Sequence, residues 1–399
     1  MLSPDNAPLL FQPFTQRGLI AKNRIVVAPM CQYASDDGAP VDWHLVHMGR
    51  LAMGGAGISF VEESAVEARG RKTYRCSGLW KSEQVPAWRR VTDMIRSFGS
   101  VPAIQLGHSG RKGSCHGAMQ DWAPLSAENT RPDEPPWPAL APSPIPDSPA
   151  HPLPHVMDRD DIDTVVAAFA RSAVLSREAG FNLIEIHGAH GYLIHQFLSP
   201  LSNQREDGYG GCRNNRMRFT LEVAEAVRAV WPDDLPLWWR ASCVDGLGGA
   251  WDLDDTVELA LALKCRGIDM IDCSSGGISG NTAMPAVPRT PGYQVGFSDT
   301  IRRKAGIATC AVGEITEPKL AETILQQGQA DVIALARELM LDANWPARAA
   351  RELGIETWWD VLPPAYAHRL ERREQVRALY AERDDADMDE QDRLLIESS

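Results

Sequence analysis

Residues 181–192 decide the fold and read Phe-Asn-Leu-Ile-Glu-Ile-His-Gly-Ala-His-Gly-Tyr. The first half, 181–186, is a short and mostly apolar run with β-branched residues, as expected of a buried parallel strand. It follows an amphipathic helical pattern that stops at Gly180. The second half turns polar as H-x-x-H-x-Y, at the strand end where barrel enzymes place their chemistry. Two imidazoles and a phenol there could hydrogen-bond to an oxygen atom of a ligand and donate a proton.

Two other interpretations of this stretch remain open on its residues alone. A histidine on a strand is usually structural, and H-x-x-H could be half of a metal site. The metal interpretation is the weaker one, because no H-E-x-x-H occurs and no carboxylate follows at ligand spacing. We therefore predict a site without a metal.

The same strand-like pattern recurs along the chain, each time followed by a helical pattern. The predicted strands are 24–28, 57–61, 101–106, 181–186, 235–240, 268–273, 308–312 and 331–336. The predicted helices lie near 43–54, 83–98, 158–179, 215–231, 253–266, 297–305, 316–328 and 343–353. Eight strand–helix units in succession predict an α/β fold, a single (β/α)8 TIM barrel. A doubly wound sheet is the alternative, but no G-x-G-x-x-G follows a first strand.

Three segments depart from the alternation. Residues 1–23 predict an N-terminal hairpin that plugs the bottom of the barrel. Residues 108–157 form a long insertion after strand three, Pro-rich over 132–154, which favours a lid or binding loop over a disordered spacer. From Arg369 the chain is charged and predicts a solvated helix with a loose acidic end. We predict a barrel domain over 1–370 and a charged tail over 371–399.

Composition excludes several classes of protein. A formal net charge of −13 argues against nucleic acid or an anionic membrane surface as the partner. No apolar run approaches the roughly 20 residues needed to span a bilayer, and the N-terminus lacks signal-peptide features. The eight cysteines include no C-x-x-C, which predicts reduced thiols in the cytoplasm and argues against an iron–sulfur cluster. No lysine falls within a predicted strand, so a Schiff-base aldolase is disfavoured.

The ends of the later strands carry a possible phosphate cradle. Small residues follow strands six, seven and eight, so that backbone N–H groups could approach a phosphate. An arginine after strand eight could chelate the same group bidentately. The residues concerned are Gly276, Gly277, Gly313 and Arg337.

Strands three and five add two polar residues. Gln105 could exchange paired hydrogen bonds with the C=O/N–H edge of a flat heterocycle. Arg240, if buried, places positive charge where electron density would gather on reduction. An arginine at a strand end could equally be a member of an ion pair, and this alternative stays open.

Together these motifs resemble the old yellow enzyme family of FMN-dependent ene-reductases, and within it the thermophilic-like branch that includes the xenobiotic reductases. The matching stretches follow the strands in the right order, over roughly residues 8 to 370. They include Pro29-Met30-Cys31-Gln32-Tyr33, Gln105-Leu106-Gly107-His108-Ser109-Gly110-Arg111, His187-Gly188-Ala189-His190-Gly191-Tyr192-Leu193, Ser274-Ser275-Gly276-Gly277 and Arg337-Glu338.

The resemblance implies a set of site residues around non-covalently bound FMN at the carboxyl-end mouth of the barrel. His187 and His190 would hold the substrate carbonyl oxygen and Tyr192 would donate the proton. Tyr33 would offer a second hydroxyl, and Arg369 is a candidate finger reaching the substrate of a neighbouring subunit, although a plain surface arginine is almost as good an interpretation. The implied cofactor-binding residues are Pro29, Met30, Cys31, Ala65, Gln105, Arg240, Gly276, Gly277, Gly313, Ala336 and Arg337.

The resemblance also implies an activity. A hydride from NADPH or NADH would pass through FMN to the β-carbon of a small activated alkene such as an α,β-unsaturated carbonyl compound. The protein would be a homodimer or homotetramer. The alternatives are another FMN-barrel NAD(P)H:acceptor oxidoreductase or a non-catalytic flavin-binding protein. One departure from the family pattern is Ala336, where glycine is expected, because its methyl group could crowd the phosphate.

Overall fold

The computed structural model describes residues 7–248, 250–279 and 285–397. Its central feature is a closed barrel of parallel strands in the order β3-β4-β5-β8-β9-β10-β11-β12. This confirms the predicted (β/α)8 barrel, and each predicted strand is present within a few residues. The strands are β1 (Phe14–Gln16), β2 (Leu19–Ala21), β3 (Ile25–Val27), β4 (Ile58–Ala65), β5 (Val101–Gly107), β6 (Leu140–Ala141), β7 (His155–Val156), β8 (Leu183–Gly188), β9 (Leu237–Ser242), β10 (Met270–Ser274), β11 (Ala308–Ala311) and β12 (Val332–Leu335).

The helices follow the strands as expected. The bounds are α1 (Asp42–Met53), α2 (Val85–Ser97), α3 (Arg159–Glu178), α4 (Leu193–Leu198), α5 (Arg213–Val230), α6 (Leu253–Lys264), α7 (Val295–Ala305), α8 (Pro318–Gln326), α9 (Arg337–Leu341), α10 (Trp345–Glu352) and α11 (Pro364–Glu397). The short helices α4 and α9 were not predicted, because each has too few residues to show a helical period. Both begin directly after polar strand ends, so they lie at the carboxyl-end mouth.

The strands are buried on both faces, which explains why their sequences are nearly continuous apolar runs. On β8, Ile184 and Ile186 belong to the outer core between strands and helices, whereas Leu183 belongs to the core inside the barrel. The inner core is apolar at its lower levels, where Trp238 and Met270 lie. Within the inner core, polar residues such as Gln105 and Arg240 lie above these apolar levels, towards the barrel mouth.

The N-terminal hairpin plugs the barrel as predicted. Strands β1 and β2 pair antiparallel, with Phe14 opposite Ala21. Phe14 and Leu19 join the inner core, and the rings of Phe14 and Trp238 meet edge-on at 6.5 Å. The hairpin therefore closes the amino end of the barrel.

The insertion after β5 is packed against the barrel. Its β6 and β7 pair in parallel, and Trp137 Nε1 donates to the carbonyl of Arg69 at 3.1 Å. The ring of Trp122 lies 5.0 Å from that of Tyr33 at the barrel mouth. These contacts fit a binding loop better than a spacer.

The C-terminal segment differs from the prediction. Helix α11 runs without interruption through the predicted domain boundary at 370/371 and continues to Glu397, where a loose end was expected. The boundary itself stays a prediction. Within the described ranges, no helix combines the length and apolar character needed to cross a bilayer.

Candidate active site

Three side chains meet at the carboxyl end of β8. The ring of His187 lies 5.1 Å from that of His190 and 5.0 Å from that of Tyr192, measured between centroids. His190 Nε2 shares a hydrogen bond of 2.7 Å with Ser274 Oγ, whereas His187 Nδ1 has no partner among the described residues. The predicted group is thus brought together at one strand end.

Burial sets the protonation states of the three groups. It lowers the pKa of His187 well below its usual range, with help from the charge of Arg240. Burial and then His187 and Arg240 lower the pKa of His190 in the same way. Burial, followed by Cys31 and Glu63, raises the pKa of Tyr192 well above its usual range. The site therefore holds two neutral imidazoles, each with one N–H, and a phenol that keeps its proton.

The loop after β8 is held in place by backbone contacts. His190 and Gly191 adopt left-handed conformations with φ of 57° and 70°. A side chain at Gly191 would meet the carbonyl oxygen of Gly277 at 2.3 Å, and one at Gly277 would meet His190 Cα at 2.3 Å. Lys112 joins the two loops, since its Nζ donates to the carbonyls of His190 at 2.9 Å and Gly277 at 2.6 Å.

This arrangement gives Gly277 a packing role that the sequence did not reveal. Its missing Cβ leaves room for the backbone of His190, whereas a Cβ on Gly276 would have only the carbonyl oxygen of Asp245 nearby, at 3.7 Å. Of these two glycines, Gly276 has the open space that a ligand could use.

A thiol and a second phenol face Tyr192 from the loop after β3. Burial, and then the charges of Glu63 and Glu62, raise the pKa of Cys31 well above its usual range, so it remains a thiol. Tyr33 has a left-handed backbone with φ of 52°, and burial first of all raises its pKa. Pro29 and Met30 precede this pair at the end of β3, as the motif suggested.

The polar residues on β5 and β9 are both buried. Gln105 Nε2 donates to Glu185 Oε1 at 2.7 Å, and Arg240 Nη1 donates to Asp272 Oδ2 at 2.7 Å. The ion-pair interpretation of Arg240 is therefore correct. It does not conflict with a ligand contact, because Arg240 Nε has no partner in the part of the chain that the structure describes.

A cavity of 190 Å³ lies at the ends of β10 to β12, where we predicted the phosphate cradle. Gly313 and Arg337 line it, whereas Gly276 and Gly277 do not. It is lined by Arg240 and Ser274 on one side and by Gly313, Ala336 and Arg337 on the other. Gly313 has φ of 125°, a conformation that glycine allows. Arg337 is not directed to a vacant space, because its Nη2 donates to Glu314 Oε1 at 2.8 Å.

Comparison with known proteins agrees with this geometry. Residues 9–356 match the model of the NADH:flavin oxidoreductase / NADH oxidase family. The chain is 44% identical over 349 residues to an NADPH dehydrogenase of Geobacillus sp. (strain WCH70), covering 87% of this chain and 95% of that one. The chain belongs to this family. Its membership of the old yellow enzyme group of flavin oxidoreductases is thereby confirmed, as are its FMN cofactor and a reduced nicotinamide as reductant.

Two solved structures have the same fold. Morphinone reductase, 25% identical, superposes with a TM-score of 0.71 and covers 88% of this chain and 91% of its own. The 2-naphthoyl-CoA reductase superposes with a TM-score of 0.76 at 22% identity, over 86% of this chain. This old yellow enzyme spans about half of the latter protein (52%), so that likeness concerns the barrel alone.

The residues at the mouth of this old yellow enzyme fit FMN. The cavity at Gly313 and Ala336 has backbone groups and Arg337 at its edge, which suits a phosphate. The unpartnered Arg240 Nε and the buried amide of Gln105 suit the polar edge of a flavin ring. Ala65, at the end of β4, is fully buried and adds a small apolar surface.

One predicted substrate residue is separated from the others. Arg369 belongs to the first turns of α11, whose Ala367 and His368 line a groove with Lys22 and Phe98 at the amino ends of the strands. That end of the barrel is opposite to Tyr192. The structure therefore does not bring Arg369 to the site of its own chain, and the residue also lies beyond the part that matches the family.

Lys112, Glu185 and Asp272 are residues of the site that sequence reasoning missed. Lys112 directly follows the motif that ends at Arg111, which was the only signal for it. Glu185 and Asp272 are acidic residues inside predicted buried strands. Acidic side chains are rarely buried without a partner, so their positions in the sequence already indicated a specific role.

Proposed function

We propose that this old yellow enzyme is an ene-reductase that saturates the C=C bond of α,β-unsaturated carbonyl compounds or similar activated alkenes. NADPH is the proposed reductant, by analogy with the Geobacillus relative. Bound FMN supplies the hydride-transfer chemistry. The protein supplies binding, orientation and protons.

The two histidines would bind the carbonyl oxygen of the substrate. As neutral imidazoles, each has one N–H to donate, and two donors on one oxygen withdraw electron density from the β-carbon. In the tautomer with the proton on Nδ1, His190 Nε2 accepts from the Ser274 hydroxyl, and the single N–H of the ring is left for the substrate. Removing one such donor typically costs roughly 10²- to 10³-fold in rate.

Tyr192 would donate the proton to the α-carbon. Its raised pKa keeps the hydroxyl protonated throughout the physiological range. The phenol ring lies 5.0 Å from the ring of His187 and meets it edge-on. A proton donor that lies beside the polarised alkene, and does not bind the carbonyl oxygen, can protonate the α-carbon.

The convergence of His187, His190 and Tyr192 at one strand end is the observation that carries this proposal. The direct test is product analysis under anaerobic conditions with FMN-loaded protein, NADPH and 2-cyclohexenone. We expect one cyclohexanone for each NADPH consumed. Oxidation of NADPH only when oxygen or another acceptor is added would indicate the alternative acceptor oxidoreductase. Binding of FMN without any oxidation of NADPH would indicate a non-catalytic flavin protein.

We further propose a cytoplasmic homo-oligomer in which Arg369 approaches the site of a second copy. The eight cysteines are free, as expected in a reducing compartment. The position of Arg369 at the far end of its own barrel leaves only another copy for such a contact. Sedimentation would give the oligomeric state, and loss of enone affinity in Arg369→Ala, with unchanged FMN binding, would support the contact.

A further inference from the structure

A polar layer crosses the inside of the barrel just below the mouth. It consists of Gln105, Glu185, Arg240 and Asp272, which lie on the four consecutive strands β5, β8, β9 and β10. All four are at least nine-tenths buried. Gln105 is opposite Glu185 in the β5–β8 register, and Arg240 is opposite Asp272 in the β9–β10 register.

The hydrogen bonds of this layer leave one donor missing. Gln105 Nε2 satisfies Glu185 Oε1, and Arg240 Nη1 satisfies Asp272 Oδ2, each at 2.7 Å. The second oxygens, Glu185 Oε2 and Asp272 Oδ1, have no donor among the described residues. The two carboxyl groups are nevertheless in hydrogen-bonding contact with each other.

A single proton between the two carboxyl groups would give both Glu185 Oε2 and Asp272 Oδ1 a hydrogen-bond partner. Two carboxylates in hydrogen-bonding contact cannot both be ionised in a dry interior, because like charges repel and neither is solvated. With one proton, Glu185 becomes the donor and Asp272 the acceptor, and the three ionisable groups Glu185, Asp272 and Arg240 sum to zero charge. Without it, they sum to one uncompensated negative charge. Cys310 on β11 also faces Asp272, as a neutral thiol.

The contacts decide which acid has the proton. Asp272 accepts from the Arg240 guanidinium, which favours its ionised form, whereas Glu185 has only the neutral amide of Gln105. Burial, and then the charge of Asp272, raise the pKa of Glu185 well above its usual range.

We propose that Glu185 and Asp272 share one proton and that the resulting chain, Gln105–Glu185–Asp272–Arg240, positions the two ends of the layer for the flavin of FMN. This inference rests on the cofactor-binding roles proposed for Gln105 and Arg240. Because Gln105 Nε2 is engaged by Glu185, the amide oxygen remains available to a ring N–H. Because the layer is neutral, no net negative charge lies beneath a cofactor that gains electrons. Glu185 is a positioning residue and does not touch the reacting atoms.

Two isosteric substitutions separate this arrangement from one with both acids ionised. Glu185→Gln reproduces the protonated acid, since its amide can donate to Asp272 and accept from Gln105. We expect an FMN dissociation constant within about two-fold of wild type and an unchanged flavin midpoint potential. Asp272→Asn leaves the charge of Arg240 uncompensated, and we expect a more positive midpoint potential, with a shift of about ten-fold or more in the reduction equilibrium. Equal upward shifts in both variants would overturn the proposal.

Infrared spectroscopy of the cofactor-free protein tests the proton itself. At neutral pH, the wild type minus Glu185→Gln difference spectrum should contain the C=O stretch of a protonated carboxyl group, with a shift in D2O. A carboxylate band in its place would also overturn the proposal. This measurement uses neither FMN nor an alkene, so its result stands even if the ene-reductase activity fails to appear.

Discussion

The two ends of the barrel mouth are built differently. At the proposed substrate end, defined by His187, His190 and Tyr192, the groups are buried and their pKa values are all shifted towards the neutral form. At the phosphate end, defined by Gly313, Glu314, Ala336 and Arg337, the Arg337 side chain is 73% exposed and paired with a carboxylate. The proposed substrate end is thus organised in the absence of a ligand, whereas Arg337 would have to leave Glu314 to bind a phosphate.

This difference assigns separate tasks to the two ends. A rigid and dry site stabilises developing charge without reorganisation, which is what rate acceleration requires. A solvated arginine contributes to affinity but little to the rate of a reaction at a distance. Substitutions at the substrate end should therefore change turnover, and substitutions at the phosphate end should change cofactor retention.

The largest effect is expected at the histidines. His187→Ala or His190→Ala should slow oxidation of the reduced enzyme by 2-cyclohexenone by roughly 10²- to 10³-fold, because one donor to the carbonyl oxygen is lost. The rate is measured by anaerobic stopped-flow absorbance. His155→Ala is the control, since His155 is exposed and pairs with Asp161 outside the mouth. Equal slowing in the control would contradict the assignment.

Arg337→Ala should weaken FMN binding by roughly ten- to a hundred-fold, because a charge-assisted hydrogen bond to phosphate is lost. The dissociation constant follows from quenching of FMN fluorescence on binding. Enone turnover of the FMN-saturated variant should remain near that of wild type. A turnover defect at full saturation would mean that the two ends are not separate.

A pH series tests the buried surroundings of Tyr192, where the charge of Glu63 contributes to the raised pKa of the phenol. Burial, and then the charge of Glu62, raise the pKa of Glu63 from 4.5 to about 8, so the folded protein keeps a proton that the unfolded chain releases. This contribution to stability is complete below pH 4.5 and is lost as the pH rises towards about 8. Glu63→Gln lacks the titration, so its melting temperature relative to wild type should increase from pH 5 to pH 8.

Glu67→Gln is the matched control for that series. Burial alone would raise the pKa of Glu67. Hydrogen bonds and charge from His108 and Arg69 instead lower this pKa to about 2. Its contribution is fully present above the unfolded value of 4.5. The melting temperature of this variant relative to wild type should be lower and flat over pH 5 to 8. The same slope in both variants would rule out the buried proton at Glu63.

The smallest effect is expected at Glu314. Glu314→Gln frees Arg337 from an ion pair of 2.8 Å that is largely solvated. Such pairs contribute about 0.2–1 kcal/mol, so FMN binding should tighten by a factor of about 1.4 to 5. If Glu314→Gln no longer tightens FMN binding when Arg337→Ala is also present, the two residues are coupled.

The sequence predicted the parts of this molecule that follow from local pattern. Strands such as 181–186 are visible because burial on both faces makes them continuous apolar runs, and H-x-x-H-x-Y is visible because it follows one of them. The pairing of Glu185 with Asp272 is not visible, since it depends on the register of strands far apart in the chain. The same applies to Lys112, which bonds to two loops, and to Arg337, whose partner follows a different strand.

We propose above that Tyr192 protonates an alkene that the two histidines bind. The most direct test is an anaerobic stopped-flow comparison of wild type and Tyr192→Phe, with each half-reaction followed by flavin absorbance. We predict that bleaching by NADPH keeps its rate, while recovery on 2-cyclohexenone slows by roughly 10²-fold or more. Recovery at the wild-type rate would contradict the account, because the proton would then come from another group.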